Sequence, residues 1–391
     1  MKNQTTKRFL ALLLALCMCF TLVLMTSCGG SDEQNNNANS DDTGSGVDAS
    51  IGRDEFISDI GGVSDTYEGT VSEESYNTAD EAARAYISEE VIGTQKSASI
   101  ESTTSKGTLS ADAIGELNLP AELSEGIESV EKIEVKYSEV EDVALVASSS
   151  ATKSVIVFVI KYANEYKYFT PMPIKGDTIT KSYYESVFQN DKYENCTYVN
   201  ESTVALTASA AGQSQTLSMK LTQTIKRDGN KTYLVQSVTG DENIISQALP
   251  VGTDRYLEVY MEEQEDGSIK TWLRKSALDS WTQGYVYYQV SPFAGQNNID
   301  YSYFSKTDFG FALKGENALK YYRQAATNAS AIPENAKLDL YAEYYVNGGV
   351  LSGMRMEYSA EINMYGTLNI TNGLNKMSCT NYGTTVVEKP F

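Results

Sequence analysis

The stretch KLDLYAEYYVNGGVLSGMRMEYSAEINM, Lys337 to Met364, contains two alternating segments joined by the turn Asn347-Gly348-Gly349. A turn of this kind between alternating segments predicts a β-hairpin. In the second arm every other residue is apolar, at Met354, Met356, Tyr358, Ala360, Ile362 and Met364. Because side chains alternate between the two faces of a strand, the sequence predicts an antiparallel sheet that is dry on one face and wet on the other.

The same alternation extends upstream. In QTLSMKLTQTIKR the residues on one side are Leu217, Met219, Leu221 and Ile225. A further hairpin is predicted in RYLEVYMEEQEDGSIKTWLRKS, centred on Asp266-Gly267. Residues 192–391 are therefore predicted to form one long antiparallel sheet, and the helices from Glu316 and near Glu242 are its expected cover.

The segment 51–191 has a different pattern of apolar and polar residues. NTADEAARAYISEEVIG predicts a helix that Thr78 caps, with Glu81 at the capping-box spacing, and that ends at Gly93. A shorter helix is expected over 110–116, and SVIVFVIKY reads as a short buried strand. NEYKYFTPMPI and DTITKSYY are interpreted as more sheet. The segment is thus predicted to be a small α+β domain, and the chain as a whole to have an α+β fold.

The first residues have the three-part layout of an export signal. A basic start, MKNQTTKR, precedes the apolar run Phe9 to Met25, and small polar residues then lead to Cys28. Residues 25–28, Met-Thr-Ser-Cys, resemble the lipobox of bacterial lipoproteins, with Met where Leu is usual. The resemblance implies cleavage before Cys28 and diacylglycerol on its sulfur. An ordinary secretory signal with an incidental cysteine is the alternative. The polar tract 29–50 is expected to be a flexible tether.

Two further resemblances concern the folded part. YLEVYMEEQEDGSIKTWLRKSALDSW and the closing MSCTNYGTTVVEKPF resemble the LolA/LppX-like lipoproteins, over residues 192–391. That family implies a curved half-barrel wrapped around a partial helical plug and an apolar cavity. The motif ADEAARAYI resembles the NTF2-like lipoprotein domains.

The half-barrel resemblance implies carriage or sensing of a lipid or acyl chain. The apolar positions of the alternating strands would then line the ligand; they are Leu217, Met219, Leu221, Ile225, Met354, Met356, Tyr358, Ile362 and Met364. The methionines are also compatible with an ordinary core, and if they line a cavity their flexibility suits a loose apolar ligand. The alternative function is a structural or interaction lipoprotein of the cell envelope without a ligand cavity.

Composition argues against several function classes. The 391-residue chain has a formal net charge of −21, which disfavours binding to nucleic acid or to an anionic lipid surface. It contains no histidine, and so lacks the usual general base and the commonest zinc ligand. The acidic run from Glu262 to Asp266 lacks the spacing of a calcium loop and reads as a solvated hairpin tip.

We therefore expect no enzymatic activity, no cofactor and no metal. The expected partners are the membrane, through the lipid anchor, an apolar ligand, and an envelope protein. The expected location is the extracytoplasmic face of the cell membrane.

Two cysteines remain beyond Cys28. Cys196 and Cys379 are an even pair in an exported protein, at the start and the end of the C-terminal sheet. A disulfide between them would close a long loop and stabilise the fold by roughly 5 kcal/mol before strain. The alternative is that each is a small buried apolar residue with a free thiol.

Overall fold

The fold is described from a computed structural model of the chain. The structure describes residues 52–93, 96–117, 119, 126–141, 152–188, 191–210, 213–241, 255–284, 300–318, 337–363 and 367–391. The predicted signal peptide, the tether and the expected helix near Glu242 lie outside these residues.

The described helices are short. The α-helices are α1 (Arg53–Asp59), α2 (Ala79–Tyr86), α3 (Ala111–Gly115) and α4 (Lys181–Phe188). A π-helical turn (Ile87–Val91) follows α2, and 3-10 turns lie at Asp191–Glu194 and Tyr301–Tyr303. Residues 315–318 are helical, at the start of the helix expected from Glu316.

The strands form two sheets, and all strand pairs within them are antiparallel. The first sheet contains β1 (Thr70–Val71), β2 (Lys96–Thr108), β3 (Ile127–Glu141), β4 (Lys153–Tyr162) and β5 (Glu165–Thr170). The second contains β6 (Asn195–Ala210), β7 (Gln213–Asp228), β8 (Lys231–Gly240), β9 (Tyr256–Glu263), β10 (Ile269–Arg274), β11 (Thr282–Gly284), β12 (Ser305–Lys306), β13 (Gly310–Lys314), β14 (Lys337–Asn347), β15 (Val350–Asn363) and β16 (Thr367–Thr380).

The small sheet has the order β1-β5-β4-β3-β2. Helix α2 begins at the predicted capping box, in which the Thr78 hydroxyl accepts from the Glu81 amide at 3.1 Å and the Glu81 carboxylate accepts from the Thr78 amide at 3.2 Å. Its face of Ala82, Ala83 and Tyr86 packs on one side of the sheet. The second half of strand β4 is buried on both sides, with Val157 and Val159 in one cluster and Phe158 and Ile160 in another, which fits its apolar sequence.

The large sheet has the order β11-β10-β9-β8-β7-β6-β16-β15-β14-β13-β12. Strands β6 to β11 run outward as one meander, and β12 to β16 return as a second. The last strand, β16, pairs with the first, β6, and joins the two meanders at the centre. Because the end strands β11 and β12 do not pair with each other among the described residues, the sheet is open.

The fold class differs from the α+β prediction. The described residues are mostly antiparallel sheet, since no described α-helix exceeds eight residues whereas several strands have ten to sixteen. In the N-terminal segment the predicted helix forms as α2, but its eight residues stand against five strands. The protein is therefore mostly β.

The interpretation of DTITKSYY as a strand is wrong. Its second half begins helix α4, where the Thr180 hydroxyl accepts from the Tyr183 amide at 3.4 Å. The buried residues of this helix, Tyr183, Tyr184, Val187 and Phe188, have the spacing of a helix rather than of a strand. That spacing becomes visible only when the four residues after the quoted stretch are included.

Buried polar contacts surround helix α4. Lys306, beside the large sheet's edge, forms an ion pair of 3.0 Å with Asp65, and the Tyr183 hydroxyl donates to the same carboxylate. The Glu90 carboxylate, at the end of the π-helical turn, accepts from the Ser182 amide at 2.8 Å and from the Ser182 hydroxyl at 2.6 Å. These contacts fix the position of helix α4.

Candidate functional site

The predicted lining residues meet on one face of the large sheet, which we call the core face. The side chains of Leu217, Met219, Ile225, Met354, Met356 and Tyr358 are buried in a single apolar cluster, and Leu221 packs against it half-buried. The side chain of Ile362 and the whole of Met364 lie outside the described residues. The structure thus brings together residues from two strands, β7 and β15, that are far apart in the chain.

Strand register explains this meeting. On β15 Met356 lies opposite Asn375 of β16, and Asn375 lies opposite Ser202 of β6. Ser202 in turn lies opposite Leu221 of β7. Residues directly opposite on antiparallel strands share a face, so the core face is continuous from β15 to β7.

A row of neutral polar side chains crosses this apolar face, and we call it the amide row. Its members are Asn375 on β16, Asn200 and Ser202 on β6, Gln223 on β7 and Gln236 on β8. All five are buried. The Asn200 amide donates to Gln223 at 3.2 Å, and the Gln223 amide donates to Gln236 at 2.8 Å. The hydrogen-bonded part of the row therefore spans three adjacent strands.

Asn375 differs from the rest of the row. It is 0% exposed, and neither the nitrogen nor the oxygen of its side-chain amide has a hydrogen-bond partner. Buried amides in proteins are nearly always paired, and leaving one unpaired costs roughly 1–3 kcal/mol. Asn375 is thus a donor and an acceptor aimed into an apolar region.

The amide row was not predicted from the sequence, although one signal pointed to it. In the alternating run Leu217, Met219, Leu221, Ile225, the position that should be apolar between Leu221 and Ile225 is Gln223. A polar residue on the dry side of a strand needs a partner. The partners themselves depend on the pairing of β6 with β16, which the sequence does not give.

Aromatic rings of the protein fill the β13–β14 end of the core face. Phe188 of helix α4 lies 5.8 Å from Phe311 and 6.1 Å from Tyr344, measured between ring centroids. Phe304 packs edge-on against Phe311 at 5.2 Å. Such pairs stabilise by about 0.5–1.5 kcal/mol each beyond the area they bury. This end of the face is an ordinary packed core.

Cys196 and Cys379 also lie on the core face, and both thiols are free and buried. Cys379 is opposite Tyr198, two residues beyond Cys196 on the same strand, so the two cysteines are diagonal neighbours. The Cys196 thiol donates to the Tyr193 carbonyl at 3.2 Å. Burial raises the pKa of the Cys196 thiol to about 11 and raises the pKa of Cys379 as well.

The opposite face carries an ionic cluster around Glu258. Arg274 contacts the Glu258 carboxylate at 2.8 Å, and the hydroxyls of Tyr233 and Tyr256 donate to it. Burial raises the pKa of Glu258, but these hydrogen bonds outweigh it and hold the pKa below its usual value. The hydrogen-bonding capacity of the Glu258 carboxylate is thus used by side chains of the protein itself, as is typical of a structural ion pair.

The acidic hairpin tip offers no metal geometry in the structure. Asp266 accepts hydrogen bonds from the amide and the hydroxyl of Ser268, at 3.0 and 2.6 Å. Within the described ranges, no group of three or more carboxylate or thiol side chains is placed to hold a metal ion. None of the described helices is long and apolar enough to cross a membrane. The segment containing Cys28 lies outside the described ranges.

Comparisons with known proteins give little. No protein-family model matches the chain, and no curated protein matches it. Among solved structures, the chain is similar to the crystal structure of a DUF1329 family protein from Desulfovibrio piger ATCC 29098, at 11% identity and a TM-score of 0.19. The match covers 54% of this chain and 95% of that one. At that TM-score the likeness carries no argument.

Proposed function

We propose that this chain is a membrane-anchored extracytoplasmic lipoprotein that binds a lipid or acyl chain on the core face of its large sheet. The anchor is Cys28, at the end of the export signal. The ligand lies along the predicted lining residues of β7 and β15. In this proposal the open sheet curves into a half-barrel with a partial helical cover, as in the LolA/LppX-like lipoproteins.

One observation carries the proposal. The residues expected from the sequence to line a ligand come from separate hairpins, yet those that the structure describes lie on one face of the large sheet and in one apolar cluster. Three of them are methionines, Met219, Met354 and Met356, whose unbranched side chains can repack around a flexible guest. A lipid chain would be held there by burial of apolar area, about 25 cal/mol per Å².

The rival is an interaction lipoprotein whose core face is only a core. It is favoured by the burial of these side chains, since Met354 and Tyr358 are each 1% exposed with no ligand present. A core that is already packed in this way does not require a bound ligand. The protein would then act through its surfaces, docking on an envelope partner.

Lipid extraction distinguishes the two functions. The full-length protein is purified from membranes in detergent, and non-covalent lipid is extracted with organic solvent and quantified per mole of protein. A ligand carrier should yield a near-stoichiometric lipid. Leu221→Asn, on the core face, should lower that yield severalfold, whereas Leu278→Asn, at a position 96% exposed, should leave it unchanged. Equal and trace yields from all three proteins would favour the rival.

A further inference from the structure

The proposed ligand site contains a polar feature that an acyl chain alone does not use. Asn375 is fully buried on the core face with its donor and its acceptor both unpaired. Across the sheet, Asn200, Gln223 and Gln236 form a hydrogen-bonded chain that ends one strand short of Asn375. A buried amide without a partner destabilises the unliganded fold, and a polar group of a bound ligand would supply that partner.

Ser202 lies opposite Asn375 on β6, whereas the neighbours of Asn375 on the β15 side are apolar. Met356 lies directly opposite it on β15, and Met377 is the next residue on the same face of β16. Tyr358 lies opposite Gly373, where even a Cβ atom would come within 2.3–2.6 Å of the tyrosine ring. A guest whose hydrocarbon part packs on these side chains would bring its polar group to Asn375.

The amide row is also uncharged. Its five members are four amides and one hydroxyl. On the same face of β7 the next ionisable side chain is Arg227, four residues beyond Gln223 and thus about 13 Å away along the strand. A carboxylate or phosphate at Asn375 would be buried without a counter-charge, which is far more costly than burying a neutral group.

We infer that the ligand is an acyl lipid with a neutral polar group, a hydroxyl or an amide that carries an N–H, and that this group hydrogen-bonds to Asn375. The inference rests on the proposed function and adds the chemical class of the ligand. The polar group both accepts from the Asn375 nitrogen and donates to its oxygen. An acylglycerol has this combination of donor and acceptor.

Three probes of equal chain length test the inference. Deuterated monooleoylglycerol, oleate and 1-octadecene are added separately to the full-length protein in non-ionic detergent, above the pKa of the fatty acid, and binding is measured by native mass spectrometry. Monooleoylglycerol should bind about tenfold or more tighter than either of the others, the equivalent of one or two hydrogen bonds. Equal binding of oleate or octadecene would overturn the inference.

A pair of variants locates the contact. Asn375→Leu should lower the affinity for monooleoylglycerol about tenfold while leaving that for octadecene unchanged. It should also raise the melting temperature of the ligand-free protein, because it removes the unpaired amide. Asn372→Leu, at an exposed position of the same strand, should change neither affinity. The comparison of the three probes uses the wild-type protein alone, so it still tests the inference if Asn375→Leu does not fold.

The outcomes separate the inference from the function on which it rests. Binding of all three probes with similar affinity would refute the neutral-lipid inference and leave the carrier proposal standing. Binding of none, octadecene included, would refute both. Monooleoylglycerol selectivity that survives in Asn375→Leu would place the polar group elsewhere and overturn the inference.

Discussion

The thiols of Cys196 and Cys379 are free and buried on neighbouring strands, and we expect them to be inert in the folded protein. Burial raises the pKa of both, to about 11 for Cys196, so the reactive thiolate is scarce near neutral pH. Iodoacetamide at pH 8 should therefore leave both unmodified in native protein and label both in denaturant without a reductant. Intact mass measures the labelling, and an unlabelled pair in denaturant that becomes reactive only after reduction would reveal a disulfide.

Glu90 is a second residue whose burial has a measurable consequence. Burial raises the pKa of Glu90, although hydrogen bonds from Ser182 oppose the shift. The folded protein therefore holds the Glu90 proton more tightly than the unfolded chain. The resulting contribution to stability is fully present below the unfolded pKa of about 4.3 and is lost as the pH rises through the folded pKa.

Glu90→Gln should weaken the pH dependence of the free energy of unfolding over the range in which Glu90 titrates. The amide oxygen can still accept from Ser182, but the titrating proton is gone. Urea unfolding from about pH 4 to pH 8 measures the profile, with Glu116→Gln at an exposed position as the control. If the free energy of unfolding of Glu90→Gln depended on pH as steeply as that of the wild type, the raised pKa of Glu90 would not be the cause.

At the scale of elements, the Lys306–Asp65 ion pair joins the edge of the large sheet to the segment that follows α1. Both side chains are below 10% exposed. Lys306→Met should destabilise the protein by about 3–5 kcal/mol, because it leaves Asp65 buried without its counter-charge. Lys175→Met, which breaks the exposed Lys175–Asp308 pair, should cost about 1 kcal/mol or less.

A double variant separates charge loss from packing loss. Lys306→Met with Asp65→Asn should recover part of the destabilisation, since neither charge is then left alone. Chemical denaturation measures all four proteins. If Lys306→Met and Lys175→Met cost the same, the buried pair does not stabilise the fold more than an exposed pair does.

The elements that could be predicted from the sequence are those fixed by local chemistry. The hairpin at Asn347-Gly348-Gly349 forms as expected, because Gly348 and Gly349 adopt φ angles of 60° and 74° that other residues rarely accept. The turn at Gly267 and the capping box of Thr78 and Glu81 also form as predicted. Each depends on residues within a few positions of one another.

The features that could not be predicted depend on long-range pairing. The amide row exists because β16 pairs with β6, which places Asn375 beside Ser202. Gln223 interrupts the apolar alternation in the sequence, but nothing local tells which residues meet it. Helix α4 was mistaken for a strand because Thr178 and Thr180 favour strands, whereas its helical spacing continues to Val187 and Phe188.

For the whole molecule, the proposed anchor at Cys28 would set the location. Cys28→Ser should abolish lipidation, because the serine hydroxyl does not replace the thiol as the acceptor of diacylglycerol. The variant should keep its signal or be released to the medium. Mass spectrometry and detergent partitioning of the exported protein measure this, with Cys19→Ser as the control inside the apolar run. A Cys28→Ser protein that still loses residues 1–27 and still partitions into detergent would contradict the anchor.

The central claim is that an apolar ligand lies on the core face of the large sheet. Photo-crosslinking tests it most directly: the full-length protein is incubated with a monoacylglycerol that carries a diazirine in its acyl chain, irradiated and mapped by peptide mass spectrometry. The account predicts labels on β7 between Leu217 and Ile225 and on β15 between Met354 and Tyr358, suppressed by excess unlabelled lipid. Labels confined to exposed positions such as Leu278, or insensitive to the competitor, would contradict it.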